Sequence, residues 1–227
     1  MNKILASLAV VSALWIVRNL YVIFLQLPDE ADQGAIYRIM FFHIPSWFVC
    51  FALFLTSGVL SAYAIGKRNF HADSLAVAAT EVGLVFTSIG LVTGMIWARI
   101  IWGIWWTWDA RLTWAFITFL IYAGYLMMRR MIEEPAERMR VTGVLSVFAF
   151  ASVVITYKAI DWWRTQHPQP VLSIRTGGGN MDPAMEAMLY SNFVPLLLFA
   201  IVLVVLRYRQ ENNSREIEGL RRLAYSH

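Results

Sequence analysis

The stretch Trp102-Gly103-Ile104-Trp105-Trp106-Thr107-Trp108-Asp109-Ala110-Arg111-Leu112-Thr113 decides how the rest of the chain is read. Four of the ten tryptophans fall within its first seven residues, beside a carboxylate and a guanidinium, and long apolar runs lie on either side. A buried Trp needs a partner for its indole N–H, so a water-soluble core rarely concentrates so many. At a membrane surface the ring rests against apolar matter while the N–H stays wet. Two readings follow: an interfacial aromatic belt, or a flat apolar platform for a large planar ligand.

Composition points to lipid as the solvent. Of 227 residues 59% are hydrophobic and 15% charged, against about 25% charged in soluble domains. The single cysteine, Cys50, sits inside an apolar run. That rules out a disulfide or CxxC pair within the chain and argues against a thiolate metal site. A net charge of +4 is small and spread out. The basic residues are therefore topology markers rather than a nucleic-acid footprint, and no nucleic-acid motif is present.

Six segments are long and apolar enough to span: Ile4–Gln26, Phe41–Ile65, Ser74–Trp97, Leu112–Met131, Val141–Ala159 and Leu189–Tyr208. Each approaches the ~20 residues that ~30 Å of hydrocarbon requires. The first is too long for a signal-peptide core and lacks a small-residue cleavage site, so it reads as retained. Backbone groups in lipid must be satisfied within the segment, which makes helices the default, and the alternating strands of an outer-membrane barrel are absent. The expected fold is all-α, one polytopic domain over 1–227 with six transmembrane helices. Twelve Lys/Arg fall in the N-terminus, 66–73, 129–140 and the tail from Arg207, against six in the other connections. The positive-inside rule puts both termini in the cytoplasm and turns segments 27–40, 98–111 and 160–188 outward. The tryptophan-rich stretch is in the middle one.

The third outer segment repeats the indole theme at Trp162-Trp163, then carries His167-Pro168, Gly177-Gly178-Gly179 and Asp182-Pro183. Asp followed by Pro suits an N-cap and first helical position. The triple glycine lacks the following Lys-Ser/Thr and preceding strand of a phosphate-binding loop. Of the four histidines, His71 and His227 read as solvated. His43 stands at the outer start of the second span, where Pro45 disfavours helix at Ile44 and should bend the backbone. His43 and His167 flank the tryptophan stretch on one membrane face, either as unrelated interfacial residues or as a pair.

That face holds two imidazoles, a set of indoles, and Arg38, Arg99, Arg111, Arg164 and Arg175. Haem has matching needs: axial nitrogens, an apolar slot and cations for its propionates. Zinc fits less well, since it takes three or four ligands. Within the spans lie Arg18, near enough to the outer end to snorkel, and Glu81, about 10 Å from the cytoplasmic side by helical rise. Their difference in depth argues against pairing them, and intramembrane charges are functional candidates by default. Asp109 is placed to cap a helix starting near Ala110, or to offer its charge to a ligand or partner.

Residues Trp102 to Thr113 resemble the tryptophan-rich "WWD" signature of membrane haem-handling proteins in c-type cytochrome maturation. Tyr37-Arg38-Ile39 with His43-Ile44-Pro45, and Trp162-Trp163-x-Thr165-x-His167 with Asp182-Pro183-Ala184-Met185, resemble what flanks that signature in the haem exporter protein C family. The likeness runs in order from about residue 36 to 190. It implies a periplasm-facing site for haem b in a bacterial inner membrane, with His43 and His167 as axial ligands to the iron. Trp102, Trp105, Trp106, Trp108 and Asp109 would form the platform, with Arg111 beside it. It further implies a delivery component rather than an enzyme. Its partners would be a membrane-anchored periplasmic haem chaperone and the ATP-driven transporter subunits of the maturation complex. The Gly177–Gly179 insertion and Pro168 depart from the pattern and leave that loop open.

Three rivals remain. Haem lyases of the same signature are longer and carry histidines inside spans, and b-type electron-transfer subunits also hold haem by mid-span histidines; this chain has none. An assembly subunit whose tryptophans are only a belt is the third, and an absorption spectrum separates it from the others.

Overall fold

The computed structural model describes residues 3–168 and 181–225. Among these residues six α-helices make up the fold: α1 (Lys3–Leu25), α2 (Met40–Lys67), α3 (Phe70–Ile101), α4 (Ala110–Met131), α5 (Pro135–Trp162) and α6 (Pro183–Tyr225). A short 3-10 helix, Ala35–Ile39, leads into α2, and no strand occurs among the described residues. All six helices are long and apolar enough to cross a membrane, and the chain is a multi-pass membrane protein. Gly177–Gly179, Arg175 and His227 lie outside the described residues.

Capping side chains start the helices where the sequence offers them. Asn69 accepts from Ala72 N at 2.9 Å to open α3, Asp109 from Leu112 N at 2.9 Å to open α4, and Glu134 from Glu137 N at 2.5 Å to open α5. Asp182 does the same for α6, accepting from Ala184 N at 2.9 Å. Because caps rather than lipid thickness set these ends, the helices outrun the expected spans. The connections expected to face outward shrink accordingly, the middle one from 98–111 to 102–109 and the last from 160–188 to 163–182. At 43 residues α6 is about 65 Å long, and its last turns stand beyond ~30 Å of hydrocarbon. Ile44, expected outside regular helix, is helical, and α2 runs unbroken through Pro45.

Helix α2 packs chiefly against α3, α5 and α6, α4 against α5, and α1 against α6 at the periphery. Small residues allow the close approach. A Cβ on Gly83 would sit 2.8 Å from the Phe54 ring, and one on Gly143 would sit 2.9 Å from Ile65 Cδ1. Lipid supplies no hydrophobic drive between helices, so such contacts and interhelical hydrogen bonds take its place. Ser57 on α2 bonds Thr80 on α3 at 2.6 Å and Ser146 on α5 at 3.0 Å, while Phe54 stacks on Tyr122 at 3.7 Å.

At the end carrying the termini, charge replaces hydroxyls. Asp73 is almost fully buried and takes a forked pair of bonds from Arg129 at 2.9 and 2.8 Å, with Arg215 of α6 as a second partner. Glu81 faces Arg207 of α6, whose Nη2 reaches Oε1 at 2.9 Å, so the intramembrane acid does have a partner, drawn from the expected tail. Arg18 instead bonds its neighbour Asn19 at 3.0 Å. Arg129→Met leaves a buried carboxylate half-paired and should cost about 3 kcal/mol. Arg222→Met removes a largely exposed pair with Glu218 and should cost under about 1 kcal/mol. Thermal unfolding in detergent reads the difference; equal shifts would deny the cluster its role in holding α6.

Candidate functional site

At the opposite end an apolar cleft opens between α2, α3, α4 and α5. Phe48, Phe51, Leu91, Met95 and Ala115 line its deeper part. Its upper wall brings together His43, Trp102, Trp106, Arg111 and His167. These come from three separate segments, and each is held there by identifiable contacts.

His43 lies in the first turns of α2. Its Nδ1 is 3.0 Å from Thr93 Oγ1 on α3, and that hydroxyl stands 2.7 Å from Ile89 O, to which it donates. With the Thr93 proton on Ile89 O, Oγ1 accepts from His43, and this is the tautomer in which Nδ1 carries the hydrogen. The lone pair at Nε2 is thereby left free. Gly94 permits this approach, since a Cβ there would lie 3.0 Å from His43 Cε1; a Cβ on Gly90 would lie 2.7 Å from the Trp47 ring.

His167 reaches the same tautomer by another route. Its Nδ1 is 2.9 Å from the Pro168 carbonyl, which can only accept, so Nε2 is again the free nitrogen. Burial, and after it the charge of Arg111, lowers the His167 pKa to about 4. The imidazole is thus neutral at physiological pH. Its reference pKa of 6.5 lies higher, so the unfolded chain binds the extra proton. Stability of this loop therefore falls as pH drops from about 6.5 towards 4.

Asp109 ties the two halves of the site. One oxygen caps α4, and the other accepts from Thr165 Oγ1 at 2.8 Å and Gln166 N at 3.1 Å. Thr165 Oγ1 in turn accepts from His167 N at 3.1 Å. The cap reading holds, and the second oxygen meets the protein's own His167 loop. Arg111 uses Nη1 to hold the carbonyls of Thr156 and Tyr157 at the end of α5, at 2.9 and 3.2 Å. Its Nε and Nη2 have no hydrogen bond among the described residues.

The tryptophans divide. Trp102 lines the cleft, packed edge-on against Trp97 at 5.1 Å, and Trp97 donates to Gln33 Oε1 at 2.8 Å. Trp106 lines it too, with a buried indole N–H that has no partner among the described residues. Trp105 and Trp108 are 55% and 74% exposed and do not line the cleft. The expected single platform of four is thus two walls and two outward rings. Arg38 is occupied elsewhere, holding the Ile23 and Leu27 carbonyls and Asp29. Trp47, Thr93, Gly90 and Gly94 escaped the sequence reading, although a small-residue pair four apart on α3 was a visible signal.

The family model for Heme exporter protein C matches residues 1–222. The chain belongs to that family. Three relatives bearing the same name come from Bradyrhizobium diazoefficiens, Paracoccus denitrificans and Escherichia coli. Identity to them is 37% over 183 residues, 31% over 193 and 28% over 182. These matches cover 79%, 85% and 80% of the chain and 65%, 80% and 73% of the respective relatives. The chain thus spans just under two thirds of the Bradyrhizobium relative, and more of the other two.

The two duties of Asp109 are separable. Asp109→Ser retains a capping oxygen for α4 but has none to spare for Thr165 and Gln166. Hydrogen exchange should quicken at residues 165–167 by about tenfold, as for loss of a charged hydrogen bond, while residues 110–113 stay protected. Unchanged exchange at 165–167 would remove Asp109 as the loop's anchor.

Proposed function

We propose that this protein binds haem b at the periplasmic face of a bacterial inner membrane and presents it to a membrane-anchored haem chaperone. It would do so as a delivery component of c-type cytochrome maturation rather than as an enzyme. Haem is the cargo. The observation that carries this reading is the pair of imidazoles whose Nδ1 hydrogens are both committed, leaving two Nε2 lone pairs on the wall of one apolar cleft. Among the described residues no three or more His, Cys, Asp or Glu side chains gather for a metal ion, so the imidazoles stand as a pair. That donor set suits a macrocyclic iron, which brings its own four equatorial nitrogens.

The remaining groups fit the same cargo. Trp102 and Trp106 offer ring surface to the macrocycle, each buried aromatic contact contributing about 1.5–3 kcal/mol. Arg111 on the cleft wall and the Trp106 N–H, which has no partner among the described residues, suit propionate oxygens. Trp105 and Trp108, turned outward, face the chaperone or the lipid headgroups. The two ligands are held unequally. His43 is part of a membrane helix, whereas His167 stands on a loop anchored through Asp109. His167 is therefore the ligand that lets go first, opening one face of the haem for the chaperone. The family membership supports the rest of the setting: ATP-driven transporter subunits as partners, and both termini in the cytoplasm on the twelve-to-six basic asymmetry.

Haem-loaded protein should give a six-coordinate, low-spin spectrum. His43→Gly and His167→Gly should each weaken haem retention and shift the remainder to a five-coordinate, high-spin form, with added imidazole restoring part of the low-spin signal. If both variants keep the wild-type spectrum, the ligands are other residues. Reporter fusions after Trp105 and at the C-terminus should score oppositely, and equal scores would refute the orientation.

A further inference from the structure

Two helices carry an internal proline, Pro45 in α2, two residues after His43, and Pro195 in α6, and both residues are buried. In a helix the N–H of residue i meets the carbonyl of residue i−4, and proline has no N–H to give. Pro45 therefore orphans the Phe41 carbonyl, and Pro195 orphans that of Ser191. Lipid offers no water to repair such a loss.

Each orphan is taken up by an asparagine from a neighbouring helix. Asn192 Nδ2 on α6 donates to Phe41 O at 2.6 Å, and Asn19 Nδ2 on α1 donates to Ser191 O at 2.8 Å. A carbonyl can only accept, which fixes the orientation of both amides. Asn19 Nδ2 also donates to Asn192 Oδ1 at 3.2 Å, and Asn19 Oδ1 accepts from Arg18 at 3.0 Å. Both asparagines are fully buried. A line of hydrogen bonds thus crosses from α1 through α6 to α2 and ends two residues before His43. The Phe41 side chain is gripped by the same helices, among Ile23, Met185, Met188 and Leu189.

We propose that Asn192, oriented by Asn19, is a positioning residue for His43. Pro45 removes one of the bonds that fix the Met40–Ile44 turn to the rest of α2, and Asn192 supplies a constraint in its place from α6. Thr93 sets the rotation of the imidazole ring; Asn192 sets the backbone from which the ring projects. This inference rests on the reading of His43 as a haem ligand.

The test uses the full-length protein in nanodiscs, with Asn192→Leu, which removes the donor at similar volume, and the double variant Asn192→Leu/Pro45→Ala. In the double variant the alanine introduced by Pro45→Ala supplies its own N–H to Phe41 O. In the haem-free protein, Asn192→Leu should speed hydrogen exchange at residues 40–44 by roughly ten- to a hundredfold, the cost of one unsatisfied buried carbonyl. In the haem-loaded protein it should increase the five-coordinate fraction, and Pro45→Ala should restore both readouts towards wild type. A variant indistinguishable from wild type in exchange and spectrum overturns the proposal, as does a defect that Pro45→Ala leaves untouched. An unchanged spectrum in His43→Gly would instead sink the ligand reading, and haem-free exchange would still decide whether Asn192 holds the turn.

Discussion

Asp109 divides its two carboxylate oxygens between a helix and a loop, and the cleft depends on that division. One oxygen begins α4, which carries Arg111 and Ala115 into the cleft. The other holds Thr165 and Gln166, and through Thr165 the backbone of His167. A lone cap is worth about 1 kcal/mol. A carboxylate that also anchors a loop against lipid and water governs where an imidazole can stand, a larger consequence than its share of stability.

The same economy runs through the bundle, because a polar group in lipid has to find its partner within the protein. Near the end opposite the termini asparagines cover carbonyls orphaned by prolines, in the middle hydroxyls bond across α2, α3 and α5, and at the termini end Asp73, Glu81 and Glu211 gather arginines from α4 and α6. Each layer fixes the packing of particular helices. Helix α2, which carries His43, is held in two of these layers. The site at one end therefore inherits its geometry from contacts well below it.

Much of this was legible in the residues. Hydropathy located all six helices, and charge asymmetry placed His43, the tryptophan stretch and His167 at one end, where the cleft gathers His43, Trp102, Trp106 and His167. Asp182-Pro183 read as an N-cap and first helical position, for the last helix or a short one before it, and α6 itself begins there. Other features were hidden because they depend on which faces of separate helices meet. Glu81 could be separated from Arg18 by depth, but its partner was hidden, since Arg207 is 126 residues away and reads as tail. Asp73, one residue before an expected span, drew no reading from the sequence, yet it is buried under Arg129 and Arg215. The tryptophans shared one signature but not one orientation: spacing within a short connection does not say which rings turn inward, and only Trp102 and Trp106 do. Asn19 and Asn192 carried no motif, since their role appears only once the prolines' orphaned carbonyls are located in space.

The central claim is that two histidines present Nε2, and not Nδ1, to one iron. Pulsed electron paramagnetic resonance of the ferric haem-loaded protein, with histidine labelled at Nε2 by nitrogen-15, tests it most directly. The account predicts strong hyperfine coupling from two Nε2 nuclei, one of which disappears in His167→Gly. Coupling from a single histidine or none, or from Nδ1 in a sample labelled there instead, would contradict it.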